Sequence, residues 1–272
     1  PFKRPEKTSR TTFKRIKETP RQLMAKISQL DHEFASYAAT EAGRLLLEIR
    51  AGKHNLDSSN LDLGAYGDVQ SHELLVQLIS DQFPDDMILS EEAAEDPSRI
   101  SQDRVWIIDP LDGTREYCIK GRTDWAVHVA LSNFGIPEVG AVALPNFGKT
   151  YSTLDPPQTP ISSGPIKIVY SRTRTVPVAE FLSREMNGEL LRMGSAGAKS
   201  MAVINGTADI YVHAGGQYEW DSCAPVAVAL ASGIHASRLD GTPLRYNQKD
   251  LHVPDLLICR KELVDPVLTL LR

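Results

Sequence analysis

From residue 31 to 50, apolar side chains recur at Phe34, Ala38, Leu45, Leu46 and Ile49. That is the spacing of one helical face, and Gly52 closes the run. A second stripe, Leu74, Leu75, Leu78 and Ile79, belongs to a helix that opens at Asp68 and stops at Pro84, whose ring cannot continue it. The pattern then shortens. Short apolar or alternating runs at 87–89, 105–108, 125–131, 138–144 and 149–154 read as strands. Segment 155–165 holds four prolines and a glycine, so it is neither helix nor central strand and marks a boundary. Beyond it, strands at 166–170, 189–193, 209–213 and 256–259 alternate with helices near 178–186, 197–205 and 221–232. A turn at 239–242 and a C-terminal helix complete the pattern. The alternation predicts an α/β fold with helices on both faces of a mixed sheet. Three parts are expected: a mobile basic arm over 1–22, an α+β domain over 23–160 and an α/β domain over 161–272.

Composition narrows the classes. A 272-residue chain that is 42% hydrophobic and 24% charged matches an ordinary globular enzyme. Its net charge of −5 argues against a nucleic-acid surface. No apolar run reaches the length of a membrane span, and no signal-peptide core opens the chain; a cytoplasmic location is expected. Lys3, Arg4, Lys7, Arg10, Lys14, Arg15 and Lys17 crowd the start, a pattern read as a solvated tail. Cys118, Cys223 and Cys259 lack zinc spacing and read as reduced, packed thiols.

Candidate chemistry centres on the run from Trp106 to Thr114, Trp-Ile-Ile-Asp-Pro-Leu-Asp-Gly-Thr. A buried strand ends in Asp109 and Asp112, and a turn there aims both carboxylates and a carbonyl at one point. Two such carboxylates repel unless a cation neutralises them, and a hard divalent ion such as Mg²⁺ suits all-oxygen ligands. An ordinary Asp-Gly turn explains the run equally well. Glu91 and Glu92 after 87–90, and Asp221 after Trp220, add acids at element ends. Asp68 alone reads as a helix N-cap, and Asp221 is open to the same reading.

Ser90-Glu91-Glu92, the block from Trp106 through Thr114-Arg-Glu-Tyr117, Gly194-Ser195-Ala196 and Glu219-Trp-Asp-Ser-Cys-Ala224 together resemble the inositol monophosphatase superfamily of Mg²⁺-dependent, lithium-sensitive phosphatases. The resemblance runs from about residue 31 to the end. It looks closest to the CysQ-type branch, which removes the 3′-phosphate of 3′-phosphoadenosine 5′-phosphate in sulfur assimilation. Ile119 and Ile234 depart from the family pattern at positions that are not ligands.

The resemblance implies an α+β layered sandwich of alternating α-β-α-β-α layers, two or three Mg²⁺ per site and inhibition by Li⁺. One ion would be held by Glu91, Asp109 and the Leu111 carbonyl, a second by Asp109, Asp112 and Asp221. Asp68, paired with the Thr114 hydroxyl, would position the attacking water, with Glu91 also catalytic. Gly113 and Thr114 would present backbone N–H groups to the phosphate. Glu91, Leu111, Asp112 and Asp221 would also border the substrate. Ser195 and Lys199 would face its nucleotide end, with Arg172, His213 and Tyr218 as further pocket residues. Lys199 alone also reads as a surface lysine, and Tyr218 as packing beside Trp220. His128 and His213 read as structural or pocket-lining, not as ligands.

The expected partner is a small phosphorylated nucleotide, without nucleic acid or membrane; a homodimer is left open. Two rival classes are an inositol monophosphate or fructose-1,6-bisphosphate phosphatase and a catalytically silent nucleotide-binding regulator. A haloacid dehalogenase mechanism needs acids two apart on one strand side, whereas Asp109 and Asp112 are three apart across Pro110.

Overall fold

The computed structural model describes residues 26–53, 62–161 and 164–272; the arm expected over 1–22 lies outside them. Helices α1 (Gln29–Arg50) and α2 (Leu63–Gln82) come first. Strands β1 (Met87–Ser90), β2 (Arg104–Asp112), β3 (Ala126–Asn133), β4 (Ile136–Leu144) and β5 (Lys149–Ser152) follow, with a short α3 (Thr114–Cys118) after β2. The second half contains β6 (Lys167–Ser171), α4 (Pro177–Glu185), β7 (Glu189–Met193), α5 (Ala196–Ile204) and β8 (Ile210–Tyr218). It ends with α6 (Glu219–Ala231), β9 (His235–Ser237), β10 (His252–Cys259) and α7 (Val264–Leu271).

The strands form two five-stranded sheets, ordered β1-β2-β3-β4-β5 and β7-β6-β8-β10-β9. In the first only β1 and β2 are parallel; in the second β6 runs parallel to β7 and β8. Successive strand side chains face opposite ways, and β2 shows what each face meets. Trp106 and Ile108 pack with Phe34, Leu46 and Leu75 of α1 and α2. Val105 and Ile107 point the other way, into a core with Met201 and Val203 of α5, Ala224 and Val228 of α6, and Tyr211, Leu256 and Ile258 of the second sheet. That sheet turns Ile168, Ile210 and Leu257 toward α4 and α7. The layers are α-β-α-β-α. Burial on both faces explains why β2 is a continuous apolar run without alternation. The sheets divide between Ser152 and Lys167, yet both halves share the middle core.

Several expected bounds move. Helix α2 starts at Leu63, with Asp62 as its cap accepting from the Gly64 N–H at 3.1 Å. Asp68 therefore lies within the helix and is no N-cap. Strand β8 continues past the expected stop at 213, through Gly215 and Gly216, because β10 pairs with it as far as Tyr218. Strand β9 was too short, and α3 too short and polar, to leave a periodic signal.

Candidate active site

Residues three apart on a regular strand face opposite sides. At the end of β2 the pairing jumps from Asp109 opposite His128 to Asp112 opposite Ala126. One extra β2 residue bulges out and returns both acids to the same side. Gly113 follows at φ +91°, a left-handed conformation that glycine adopts freely, and turns the chain into α3. From the second half, α6 contributes Asp221. One carboxylate oxygen each of Asp109, Asp112 and Asp221 lies within 4.8 Å of the others.

Asp221 also caps its own helix: it is the third residue of α6, and its Oδ2 accepts from the Tyr218 N–H at 2.7 Å. The helix starts two residues earlier than expected, so the cap reading and the cluster reading both hold. Glu91 sits just beyond β1, open to solvent on one side and close enough to Asp109 to share a hydrogen bond. Asp68 is buried in α2 and accepts from Thr114 Oγ1 at 3.2 Å. The Leu111 carbonyl lies 3.2 Å from the same hydroxyl, whose single proton serves one acceptor at a time.

The electrostatics match a cation site. Burial, then the nearby Glu92 and Glu91, raises the Asp68 carboxyl to about 8. Burial followed by Asp221 and Asp112 raises Glu91 to about 7. Burial and Asp112 raise Asp221 to about 6 and place Asp109 well above the usual range. Asp112 behaves oppositely: burial would raise it, but His128, then Lys199 and Ser195, hold it well below. Its Oδ2 accepts from Ser195 Oγ at 2.5 Å and the Gly197 N–H at 2.6 Å, and its Oδ1 accepts from the Ala196 N–H at 3.0 Å. An anion at a helix start is electrostatically favoured. Ser195 reaches this position at φ +53°, a strained conformation for a non-glycine residue costing roughly 1–3 kcal/mol.

The acids fit a hard divalent ion such as Mg²⁺ on three counts. The donors are all oxygen, their mutual repulsion needs a counter-charge, and buried Asp68 Oδ1 has no hydrogen-bond partner.

A stability prediction arises here. Groups whose folded pKa is raised bind more protons folded than unfolded, so their contribution is lost as pH rises toward that value. His72, His213 and His235 shift downward and act oppositely, but only below their ordinary value of 6.5. Lys199, shifted down from 10.5, also acts oppositely, by at most one proton against those held on Asp68, Glu91 and Asp109. Between about pH 6.5 and 8.5 the metal-free protein is therefore expected to lose stability, each excess bound proton contributing about 1.4 kcal/mol per pH unit. Saturating Mg²⁺ should stabilise more at pH 8 than at pH 6.5. Thermal unfolding with and without Mg²⁺ checks this; a metal-free Tm that rises across the window contradicts it.

Other expected pocket residues fall differently. Lys199 is in the first turn of α5 but enclosed, its Nζ donating to the Ser195 carbonyl at 2.5 Å and lying 5.3 Å from the Tyr211 ring centre. It is neither a surface lysine nor open to a ligand; it braces the turn that carries Ser195. Arg172 is partly exposed and donates through Nη2 to Glu116 at 2.6 Å, tying β6 to α3. His213 lies inside β8, not at its end, with Nε2 2.6 Å from the Gly215 carbonyl oxygen. Burial lowers its pKa to about 4, so the ring is neutral at pH 7. Tyr218 is half-exposed and stacks on Trp220 at 4.8 Å, with His252 4.6 Å away.

Sequence reasoning missed two supports. Asp124 accepts from the Gly194 N–H at 2.6 Å and from Arg122. Buried Glu219 accepts from the Asn247 and Gln248 N–H groups at 2.6 and 2.7 Å, and Arg99, fully buried, donates to Asn247 Oδ1 at 2.8 Å. Glu219 stood in a quoted motif beside Asp221; Arg99 and Asn247, 148 residues apart, left no local signal.

The model for the inositol monophosphatase family matches residues 28–268. A 3′-phosphoadenosine 5′-phosphate phosphatase of Mycobacterium tuberculosis is 49% identical over 240 residues, covering 84% of this chain and 88% of its own. The 3′(2′),5′-bisphosphate nucleotidase CysQ of Escherichia coli K12 is 29% identical over 232 residues, 78% of this chain and 92% of its own. The crystal structure of CysQ from Bacteroides thetaiotaomicron superposes with a TM-score of 0.74 at 26% identity, over 86% of this chain and 98% of that one. The acid cluster therefore sits in a sequence and a fold of one lineage, and this chain belongs to the inositol monophosphatase family.

Proposed function

We propose that this protein is a Mg²⁺-dependent, lithium-sensitive phosphatase. It hydrolyses the 3′-phosphate of 3′-phosphoadenosine 5′-phosphate, and of its 5′-phosphosulfate analogue, in sulfur assimilation. Water is consumed, and AMP (or adenosine 5′-phosphosulfate) and inorganic phosphate are released. The observation that carries the phosphatase reading is the meeting of Asp109, Asp112 and Asp221, from both halves of the chain, within 4.8 Å. The nucleotide reading is supported by the 49% identity to the mycobacterial enzyme.

Glu91, Asp109 and the Leu111 carbonyl would hold one ion, and Asp109, Asp112 and Asp221 a second. Bound Mg²⁺ would offset the charge of the phosphate dianion and make a water acidic enough to attack it. The Thr114 hydroxyl, 3.2 Å from Asp68, would orient the attacking water and pass its proton to the carboxylate. Backbone N–H groups of Gly113 and Thr114 face the phosphate oxygens. Glu91, at the open edge of the cluster, would also assist proton transfer. Ser195 and Asp112 would lie on the sugar side of the ion site, and Tyr218 and His213 would be the residues toward the base. Arg172 keeps one guanidinium edge for a second phosphate while the other holds Glu116.

The test is phosphate release, with Mg²⁺ and with or without Li⁺, from the bisphosphate nucleotide, inositol 1-phosphate and fructose 1,6-bisphosphate. The nucleotide is expected to lead by at least about tenfold in kcat/KM, the value of one good contact to the second phosphate. Equal rates on inositol phosphate would remove the nucleotide assignment, and no turnover on any substrate would favour a silent regulator.

A further inference from the structure

His128 lies on β3, fully enclosed. Its Nδ1 is 3.0 Å from the Trp220 carbonyl oxygen, and its Nε2 is 3.1 Å from Asp112 Oδ2. Nδ1 donates to that carbonyl, whereas Nε2 approaches the carboxylate closely without hydrogen-bond alignment. Trp220 immediately precedes Asp221, so one imidazole spans from the end of β2 to the start of α6. Those two segments come from different halves of the chain and between them supply all three clustered acids.

The third neighbour is α5. A Cβ added to Gly197 would stand 2.1 Å from His128 Nε2, closer than real atoms approach. Gly197 is bare at the place where the ring passes, and its N–H donates to the same Asp112 oxygen that Nε2 faces, at 2.6 Å. The carboxylate is clasped from two sides.

We propose that His128 is a positioning residue for the ion centre: by bridging Asp112 and the Trp220 carbonyl, it holds Asp112 and Asp221 at ligating distance before any ion arrives. The inference rests on reading the acids as a divalent-ion site and not on which phosphate ester is hydrolysed. Outer-shell residues that orient metal ligands typically contribute 10–100-fold to metal affinity when removed; His128 does so by its hydrogen bond to the Trp220 carbonyl and its close packing against Asp112.

The experiment titrates Mg²⁺ into the substrate-free protein by calorimetry and records the metal-free Tm beside it. His128→Leu, of similar bulk but without ring nitrogens, is expected to weaken Mg²⁺ binding by about 10–100-fold. The Mg²⁺ concentration for half-maximal turnover should rise by the same factor. Gly197→Ala, which pushes the ring aside without removing it, is expected to weaken binding in the same direction. His128→Asn, which keeps a donor in less space, provides the measurement if the leucine variant fails to fold and is expected to lose affinity too. A variant that folds with a lower Tm and unchanged Mg²⁺ affinity would make His128 a packing residue and overturn the proposal. Failure of the unaltered protein to bind Mg²⁺ would instead remove the metal reading itself, so the two failures are distinguishable.

Discussion

Asp109→Asn is expected to lower turnover by more than about 100-fold, beyond the usual cost of losing an outer-shell contact, while the metal-free protein becomes harder to unfold. The two effects share one cause. Asp109 is buried at 1% exposure among Asp112, Glu91 and Asp221. The Leu111 N–H donates to it at 3.2 Å, and its other hydrogen-bond neighbour is another acid, Glu91. Without an ion, this carboxyl must stay protonated or suffer repulsion; an amide of the same shape avoids both. Stabilisation of about 1 kcal/mol corresponds to a Tm rise of roughly 2–4 °C in a chain of this size.

Asp112→Asn provides the contrast. Three donors and His128 converge on that carboxylate, so an amide nitrogen turned toward them loses hydrogen bonds each worth about 1–3 kcal/mol when a buried partner is left unmet. That variant should lose activity and stability together. Steady-state kinetics at saturating Mg²⁺ and metal-free thermal unfolding read both variants. Near-normal turnover in Asp109→Asn would end the metal assignment, and a fall in its metal-free Tm would end the repulsion argument.

The second large effect concerns Asp68. If it takes the proton relayed through Thr114, Asp68→Asn should cost about 10²–10⁴-fold in kcat, the range for a removed general base. Mg²⁺ affinity should change little, because Asp68 stands outside the three-acid cluster. Thr114→Val breaks the same relay from the other end and should cost a similar factor, while Thr114→Ser restores the hydroxyl and most of the rate. The double variant Asp68→Asn with Thr114→Val should be no slower than the slower single one, since groups acting as one unit are not additive. Multiplying losses in that cycle would show that the two residues act separately. Metal-free Asp68→Asn should also unfold at a higher temperature at pH 8, because the native carboxyl is buried with one oxygen unpartnered and a pKa raised to about 8.

How far the site was legible depended on the type of signal. Asp109, Asp112 and Asp221 were visible because each follows an apolar run at an element end. Asp68 was ambiguous: local pattern placed it at a helix start, whereas Asp62 caps that helix. Lys199 gave no sign of being enclosed, because only its packing against Tyr211 and the Ser195 carbonyl shows it. Arg172 read as a ligand for phosphate, and its pairing with Glu116 on α3 was not legible beside that reading. The histidines gave no spacing signal, and the role of His128 appears only once β2, α5 and α6 converge on it.

By itself the chain determined the order of the longer helices and strands, the proline-rich break after residue 155 and the acidic residues that end the apolar runs. These follow from periodicity, turn chemistry and charge within a few residues. Only the tertiary structure decided that a bulge in β2 turns Asp109 and Asp112 to one side, and that Asp221 comes within 4.8 Å of them from another half of the chain. It also placed Lys199 and Arg172 as braces. Register shifts and long-range pairings are set by packing between segments far apart in sequence, and no local pattern encodes which of those contacts prevails.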